Sequence, residues 1–241
     1  MKLTNKKILI TGGASGIGFG LAEQFVKDGN TVIVCGRRAS VLKEATDKIP
    51  SLLTFVCDLE QEAERKKLFE WVSKEHSDLN VLVNNAGIQN WKTPLEDGFY
   101  DGVKKELAIN VEAPVHLCAL FTNLSSLEII MNVTSGLAFS PLTKVPVYCA
   151  TKAFFRSFTI SLRHILKAKN ISVVEIIPPA LNTDLGGKGL HDFAPPVSGF
   201  IETVFKQLEE GKEEITYGLS DNMIKAGPED LKKAFERMNS N

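Results

Sequence analysis

The sequence predicts an α/β protein, a parallel sheet with helices on both of its faces. Three observations carry that expectation. Short apolar runs of strand length alternate with longer amphipathic stretches of helical period, the order that strand-helix-strand units impose. The first run, Lys7-Ile8-Leu9-Ile10, leads into Thr11-Gly12-Gly13-Ala14-Ser15-Gly16-Ile17-Gly18 and then into the helical pattern Leu21, Ala22, Phe25, Val26, so strand, glycine turn and helix follow one another. A chain of 241 residues with 44% hydrophobic content builds one such domain with a sizeable core and requires no second. Strands are expected at 7–11, 31–35, 52–57, 80–84, 128–134, 171–177 and 214–217.

The glycine turn is the first element with chemical content. Gly12 permits the tight turn, while Gly16 and Gly18 let the backbone approach a pyrophosphate and the helix pack close to the strand. The helix amino terminus then faces the anion with free N–H groups and a positive dipole end. Because such a turn also serves as a plain connection, the next strand matters. Thr31-Val32-Ile33-Val34-Cys35 ends at Gly36-Arg37-Arg38, about eighteen residues past Gly18. A site for NAD usually has an acid near here for the ribose 2′-hydroxyl, whereas an arginine suits the 2′-phosphate of NADP. Two arginines and no acid lead us to expect NADP(H) over NADH, with Arg37 as the phosphate fork and Arg38 stacking or making a secondary contact. The alternative is two solvated arginines at a helix start.

Further along, Asp58 follows the strand ending at Cys57, and Val81-Leu82-Val83 runs into Asn84-Asn85-Ala86-Gly87. Asn110 lies in a helix-like stretch from Tyr100 to Leu124, and a strand-like run from Glu128 closes at Ser135. Tyr148 and Lys152, four apart in a helical segment, project from one face. A phenol with an ammonium one turn away loses its proton more readily. Its pKa of about 10 then drifts toward the working pH, where a general acid or base is most effective. Ser135 offers a hydroxyl at a strand's carboxyl end, so three polar groups can converge on one carbonyl or carbinol oxygen. Taken alone, the Tyr/Lys spacing equally describes an exposed helix face.

These motifs, in this order and across nearly all of the chain, resemble the short-chain dehydrogenase/reductase family. The wording most resembles its DltE-like bacterial oxidoreductases, cytoplasmic members associated with cell-wall teichoic acid gene clusters. The resemblance implies a single Rossmann-type, doubly wound, seven-stranded parallel sheet of order 3-2-1-4-5-6-7, with the cofactor across the switch between strands one and four. It implies reversible hydride transfer between NADP(H) and a small carbonyl or alcohol. Tyr148 would be the acid/base, Ser135 would polarise the oxygen, and Lys152 would tune Tyr148 and bind the nicotinamide ribose. Asn110 would hold, through its main chain, the water that returns protons. Cofactor contacts implied are Gly12, Ala14, Ser15, Gly16, Ile17 and Gly18 in the turn, with Asp58 at the adenine amino group and Leu59 against that ring. Asn85, Ala86 and Gly87 would line the ribose, Asn84 would brace neighbouring strands, and Pro178 and Thr183 would lie near the nicotinamide. One departure is Pro178-Pro179 where the family usually has Pro-Gly. The second proline removes a donor and restricts its predecessor, which bears on the loop's path. A function of another class on the same scaffold is a non-catalytic redox sensor holding NADP(H), for which a proton relay is superfluous.

The irregular region 182–196, with Gly186, Gly187, Gly189 and Pro195-Pro196, is the expected substrate loop. Leu185, Leu190, His191 and Phe193 are lid candidates facing Ile88, Gln89 and Trp91 and also Leu137, Phe139 and Pro141, which gives a largely apolar pocket. A lone loop histidine is ordinarily surface, and Trp91 serves packing as readily as substrate. Residues 147–166 are apolar around more of the helix than one buried face needs, and the resemblance implies a homodimer or homotetramer formed there. Pro228 and the acids after it open a helical tail at about 228–238. A net charge of −1, from 28 basic and 29 acidic residues, leaves no footprint for nucleic acid or an anionic membrane. Without a run of about 18 apolar residues or a signal pattern, membrane insertion is not expected and a cytoplasmic location is. Four scattered cysteines suggest neither a disulfide framework nor a metal site.

Overall fold

The computed structural model describes residues 3–240. The strands are β1 Lys7–Thr11, β2 Thr31–Gly36, β3 Leu53–Val56, β4 Val81–Asn84, β5 Ile129–Val133, β6 Ser172–Ile177 and β7 Glu214–Thr216, each within one residue of expectation at either end. They form one parallel sheet in the order β3-β2-β1-β4-β5-β6-β7. The helices are α1 Gly16–Lys27, α2 Ala39–Lys48, α3 Glu62–Glu75, α4 Phe99–Leu107, α5 Ala113–Phe121, α6 Pro146–Leu166, α7 Val197–Glu209, α8 Leu219–Met223 and α9 Pro228–Asn239.

Both faces of the sheet are covered, which is why the central strands read as unbroken apolar runs and not as alternation. Ile8 and Ile10 face one core with Phe25 of α1, Leu42 of α2, and Phe200 and Val204 of α7. Leu9 faces the other with Leu68 of α3, Phe121 of α5 and Leu162 of α6. A polar ladder crosses this second layer. Asn84 donates to Asn132 at 2.9 Å and Asn132 donates to the Thr159 hydroxyl at 2.9 Å, so Asn84 braces β4 against β5 as expected.

The stretch from Tyr100 to Leu124 is not one helix. α4 passes through a π turn at Ala108–Glu112 before α5 begins. Pro114 is the reason: it has no N–H for the carbonyl of Asn110 four residues earlier, so an uninterrupted α ladder is impossible here. Such widened turns recur at functional sites, and Asn110 is in the middle of this one. Under the carboxyl end of β5 the fully buried Glu175 accepts from the Thr134 hydroxyl at 2.7 Å and pairs with Arg156. Arg156 also reaches Glu214 and lies over the Phe139 ring. The tail packs on the loop after Ser135: Asn239 accepts from the Thr143 N–H at 2.7 Å and donates to the Pro141 carbonyl at 3.0 Å. Among the described residues no helix is long and apolar enough to cross a membrane.

Candidate active site

The site is built at the carboxyl ends of the strands, around the switch between β1 and β4. Gly12 and Gly16 have φ of +63° and +53°, a region that only glycine occupies without strain. Gly18 is required by space: a Cβ there would stand 2.4 Å from the Gly12 carbonyl oxygen and 2.4 Å from Asn85 Nδ2. Gly13, passed over in the sequence, is equally confined, with Val34 Cγ1 at 2.6 Å. Asn85 closes this turn from β4 by donating to the carbonyls of Thr11 and Gly12 at 2.9 and 3.2 Å. The Thr11 hydroxyl accepts from the N–H groups of Asn85 and Ala86, both at 3.0 Å. The Nδ2 of Asn85 is therefore committed to bracing the turn. Ala14 and Ile17 are half-buried at the start of α1, and Ser15 is exposed with a hydroxyl that makes no capping bond.

Arg37 and Arg38 are exposed just past β2. Asp58 is half-buried and accepts from the Glu60 N–H at 3.1 Å. Leu59 packs into the core beneath, its carbonyl held by Arg65 Nη1 at 2.6 Å.

Ser135, Tyr148 and Lys152 are all buried. Lys152 Nζ donates to the Val133 carbonyl at 2.9 Å, and burial lowers its pKa to about 8. Burial also pushes the Tyr148 phenol above its ordinary value, against the smaller pull of a hydrogen bond with Ser135. This corrects the expectation that Lys152 brings Tyr148 toward neutrality: the ammonium is 5.6 Å from the ring centroid and turned to main chain, so desolvation dominates. Asn110 joins the group from its π turn. Its Oδ1 accepts from the Ile88 N–H at 2.9 Å, and its Nδ2 donates to the Ile88 carbonyl at 2.8 Å and the Thr151 hydroxyl at 3.2 Å. A Cβ on Gly87 would lie 3.4 Å from Asn110 Oδ1 and 3.6 Å from Lys152 Nζ, so these three converge.

The Pro178-Pro179 bend is anchored rather than loose. The Pro178 carbonyl accepts from the Gly136 N–H at 2.9 Å, and the Ile177 carbonyl accepts from the Ser220 hydroxyl at 2.6 Å. Thr183 consequently reaches the glycine turn, its Cγ2 3.4 Å from where a Gly16 Cβ would be. Beyond it the loop folds onto residues 88–91: a Cβ on Gly186 would meet Trp91 Nε1 at 2.7 Å. Leu137, Leu142, Leu185 and Trp91 pack around Val145, Tyr148 and Cys149, which is the expected apolar wall. The loop's other candidates part ways. Leu190 and Phe193 are exposed, and His191 is buried, edge-on to Trp91 with ring centroids 6.1 Å apart. Glu106 of α4 carries no signal in the sequence, yet it is buried, accepts from the Asn90 N–H at 3.0 Å and adds to the upward push on Tyr148.

Residues 6–192 match the family model for short chain dehydrogenases. The chain is 43% identical to the uncharacterized oxidoreductase DltE of Bacillus subtilis (strain 168), over 100% of this chain and 99% of that protein. It is 31% identical to L-xylulose reductase of Caenorhabditis elegans, over 91% and 90% of the two chains. A solved short chain dehydrogenase from Burkholderia cenocepacia J2315, in complex with NADP, superposes with a TM-score of 0.86 at 21% identity, covering 100% of both chains. With a sheet of this order and a relative of this identity matched end to end, the chain belongs to the short-chain dehydrogenase/reductase family of oxidoreductases.

Proposed function

We propose that the chain is an NADP(H)-dependent reductase of small carbonyl compounds. The observation that carries this reading is the burial of Tyr148, Ser135 and Lys152 together beside a tight glycine turn that admits no side chain at Gly18. NADP(H) fits the residues present. Gly12 and Gly16 take left-handed φ and Gly18 has no space for a Cβ, so the turn presents bare backbone at the start of α1; Ser15 keeps its hydroxyl, and exposed Arg37 matches a 2′-phosphate. The similar Burkholderia structure holds NADP. Once bound, the nicotinamide supplies or takes up the hydride. The chain's own groups handle the oxygen and the proton. Tyr148, kept protonated by its burial, donates to the substrate oxygen; Ser135 holds that oxygen; Lys152 binds the ribose hydroxyls and connects through Asn110 to solvent.

A phenol held above its ordinary pKa stays protonated through the neutral range, the form that donates when a carbonyl is reduced. Lys152 loses its proton as pH rises through about 8, so its ammonium is present below that value and absent above it. NADPH consumption with a panel of aldehydes and ketones tests the proposal: kcat/KM should be flat below about pH 8 and fall above it. A rate that climbs through that range would contradict the assigned roles. On α6, Phe154, Ile160 and Ile165 remain exposed on the face away from Tyr148, while Phe155 and Leu162 are core. We assign that exposed face to a homodimer or homotetramer, and light scattering after gel filtration should return two or four times the chain mass. A monomer would remove this assignment.

A further inference from the structure

Three polar atoms on the segments beside the Tyr148 cluster are buried without a hydrogen-bond partner among the described residues: Gln89 Oε1, Trp91 Nε1 and His191 Nδ1. Gln89 is 5% and His191 7% exposed. They belong to one locality. Trp91 packs against the Tyr148 cluster, His191 stands edge-on to Trp91, and Gly186 closes over Trp91 Nε1 and the main-chain carbonyl of Gln89. Native interiors leave few buried donors or acceptors unpaired, because each loses its water without compensation. Three on two segments that pack on each other need an explanation.

Mobility of residues 88–91 does not supply it. Ile88 is bonded through both its N–H and its carbonyl to Asn110, and Asn90 is held by Glu106 and by the Gly102 carbonyl. Gln89 and Trp91 thus ride on a segment fixed at two points, as a preorganised recognition site requires.

Building on the reductase reading above, we propose that Gln89, Trp91 and His191 form a substrate-recognition subsite. Its ligand is the flank of a carbonyl compound that bears a hydroxyl or amide able both to accept and to donate a hydrogen bond. The donor inventory sets that class. An indole N–H only donates, a carboxamide oxygen only accepts, and an imidazole nitrogen does either. A hydrocarbon flank answers none of them, and a carboxylate answers Trp91 but not Gln89. A hydroxyl answers both. Sites that bind a substrate hydroxyl reject analogues lacking it far more strongly than apolar pockets reject an extra methyl group. The pocket is therefore apolar at Tyr148 and polar beyond it.

The test compares two pairs of ketones in which methyl replaces each hydroxyl: 1,3-dihydroxyacetone with 3-pentanone, and erythrulose with 4-methyl-3-hexanone. With NADPH as reductant, kcat/KM should favour a hydroxylated member over its partner by about tenfold or more. Trp91→Phe keeps a ring and removes the N–H; Gln89→Leu keeps the bulk and removes the carbonyl. Each should lower kcat/KM for the hydroxylated ketone by at least about fivefold more than for its hydrocarbon partner. Preference for the hydrocarbon member, or equal losses on both, overturns the subsite while leaving the reductase intact. NADPH titration of the same preparations separates the remaining failures. Protein that binds NADPH but turns over none of the four overturns the substrate class, and protein that binds no NADPH overturns the reductase reading beneath it.

Discussion

Tyr148→Phe is expected to lower NADPH-dependent turnover by about 10²–10⁴-fold, the usual worth of a positioned general acid, with the NADPH Kd nearly unchanged. The residue belongs to a cluster with Val145 and Cys149 that Leu185 packs against, and phenylalanine keeps the apolar bulk of that packing. What it loses is the hydroxyl, the one acidic O–H that the buried cluster can offer a carbonyl oxygen once Ser135, a far weaker acid, is set aside. A loss confined to kcat and kcat/KM is the signature of an interaction made in the transition state. Steady-state kinetics beside a fluorescence titration of the nucleotide check both halves. Near-normal turnover in this variant would refute the assignment of Tyr148.

Lys152→Met should be as damaging to turnover and, unlike the tyrosine variant, should also weaken NADPH binding, by about tenfold or about 1.4 kcal/mol. It removes the ammonium that is anchored on the Val133 carbonyl and that we propose binds the ribose. The fall in rate above pH 8 should vanish with it. Stability should move the other way. Burial lowers the folded-state pKa of Lys152 from its ordinary 10.5 to about 8, so between those values the unfolded chain binds more protons than the folded one. The penalty for burying the charge is therefore complete below about pH 8 and relieved as pH rises toward 10.5. Thermal unfolding of wild type should gain stability across that window relative to the Met variant. Parallel pH profiles would show that Lys152 is not the titrating group.

The sheet was legible because a parallel strand covered on both faces has to be apolar throughout: the runs at Lys7–Thr11, Val81–Asn84 and Ile129–Val133 state their own identity. The positions of Gly12, Gly16, Ser135, Tyr148 and Lys152 were legible because each is tied to a local turn or to a helical spacing. Effects that depend on distant segments were not. Burial pushes the Tyr148 phenol up and not down, in a cluster that Leu137, Leu185 and Trp91 pack against, and no four-residue spacing reveals desolvation. Asn85 closes the glycine turn from 73 residues away. His191 is buried only because the 182–196 loop folds back onto Trp91, a long-range contact with no periodic trace. The π turn at Asn110 did leave a trace, in Pro114, whose missing N–H forbids the continuous helix that the apolar pattern suggested.

The most direct measurement is titration of the protein with NADPH and with NADH, following nicotinamide fluorescence. Tighter binding of NADPH by tenfold or more, about 1.4 kcal/mol, is the expected result, with the difference supplied by Arg37 at the end of β2. Equal or reversed affinity would contradict the NADP(H) reading and leave both arginines in solvent. Failure to bind either nucleotide would contradict the cofactor site itself.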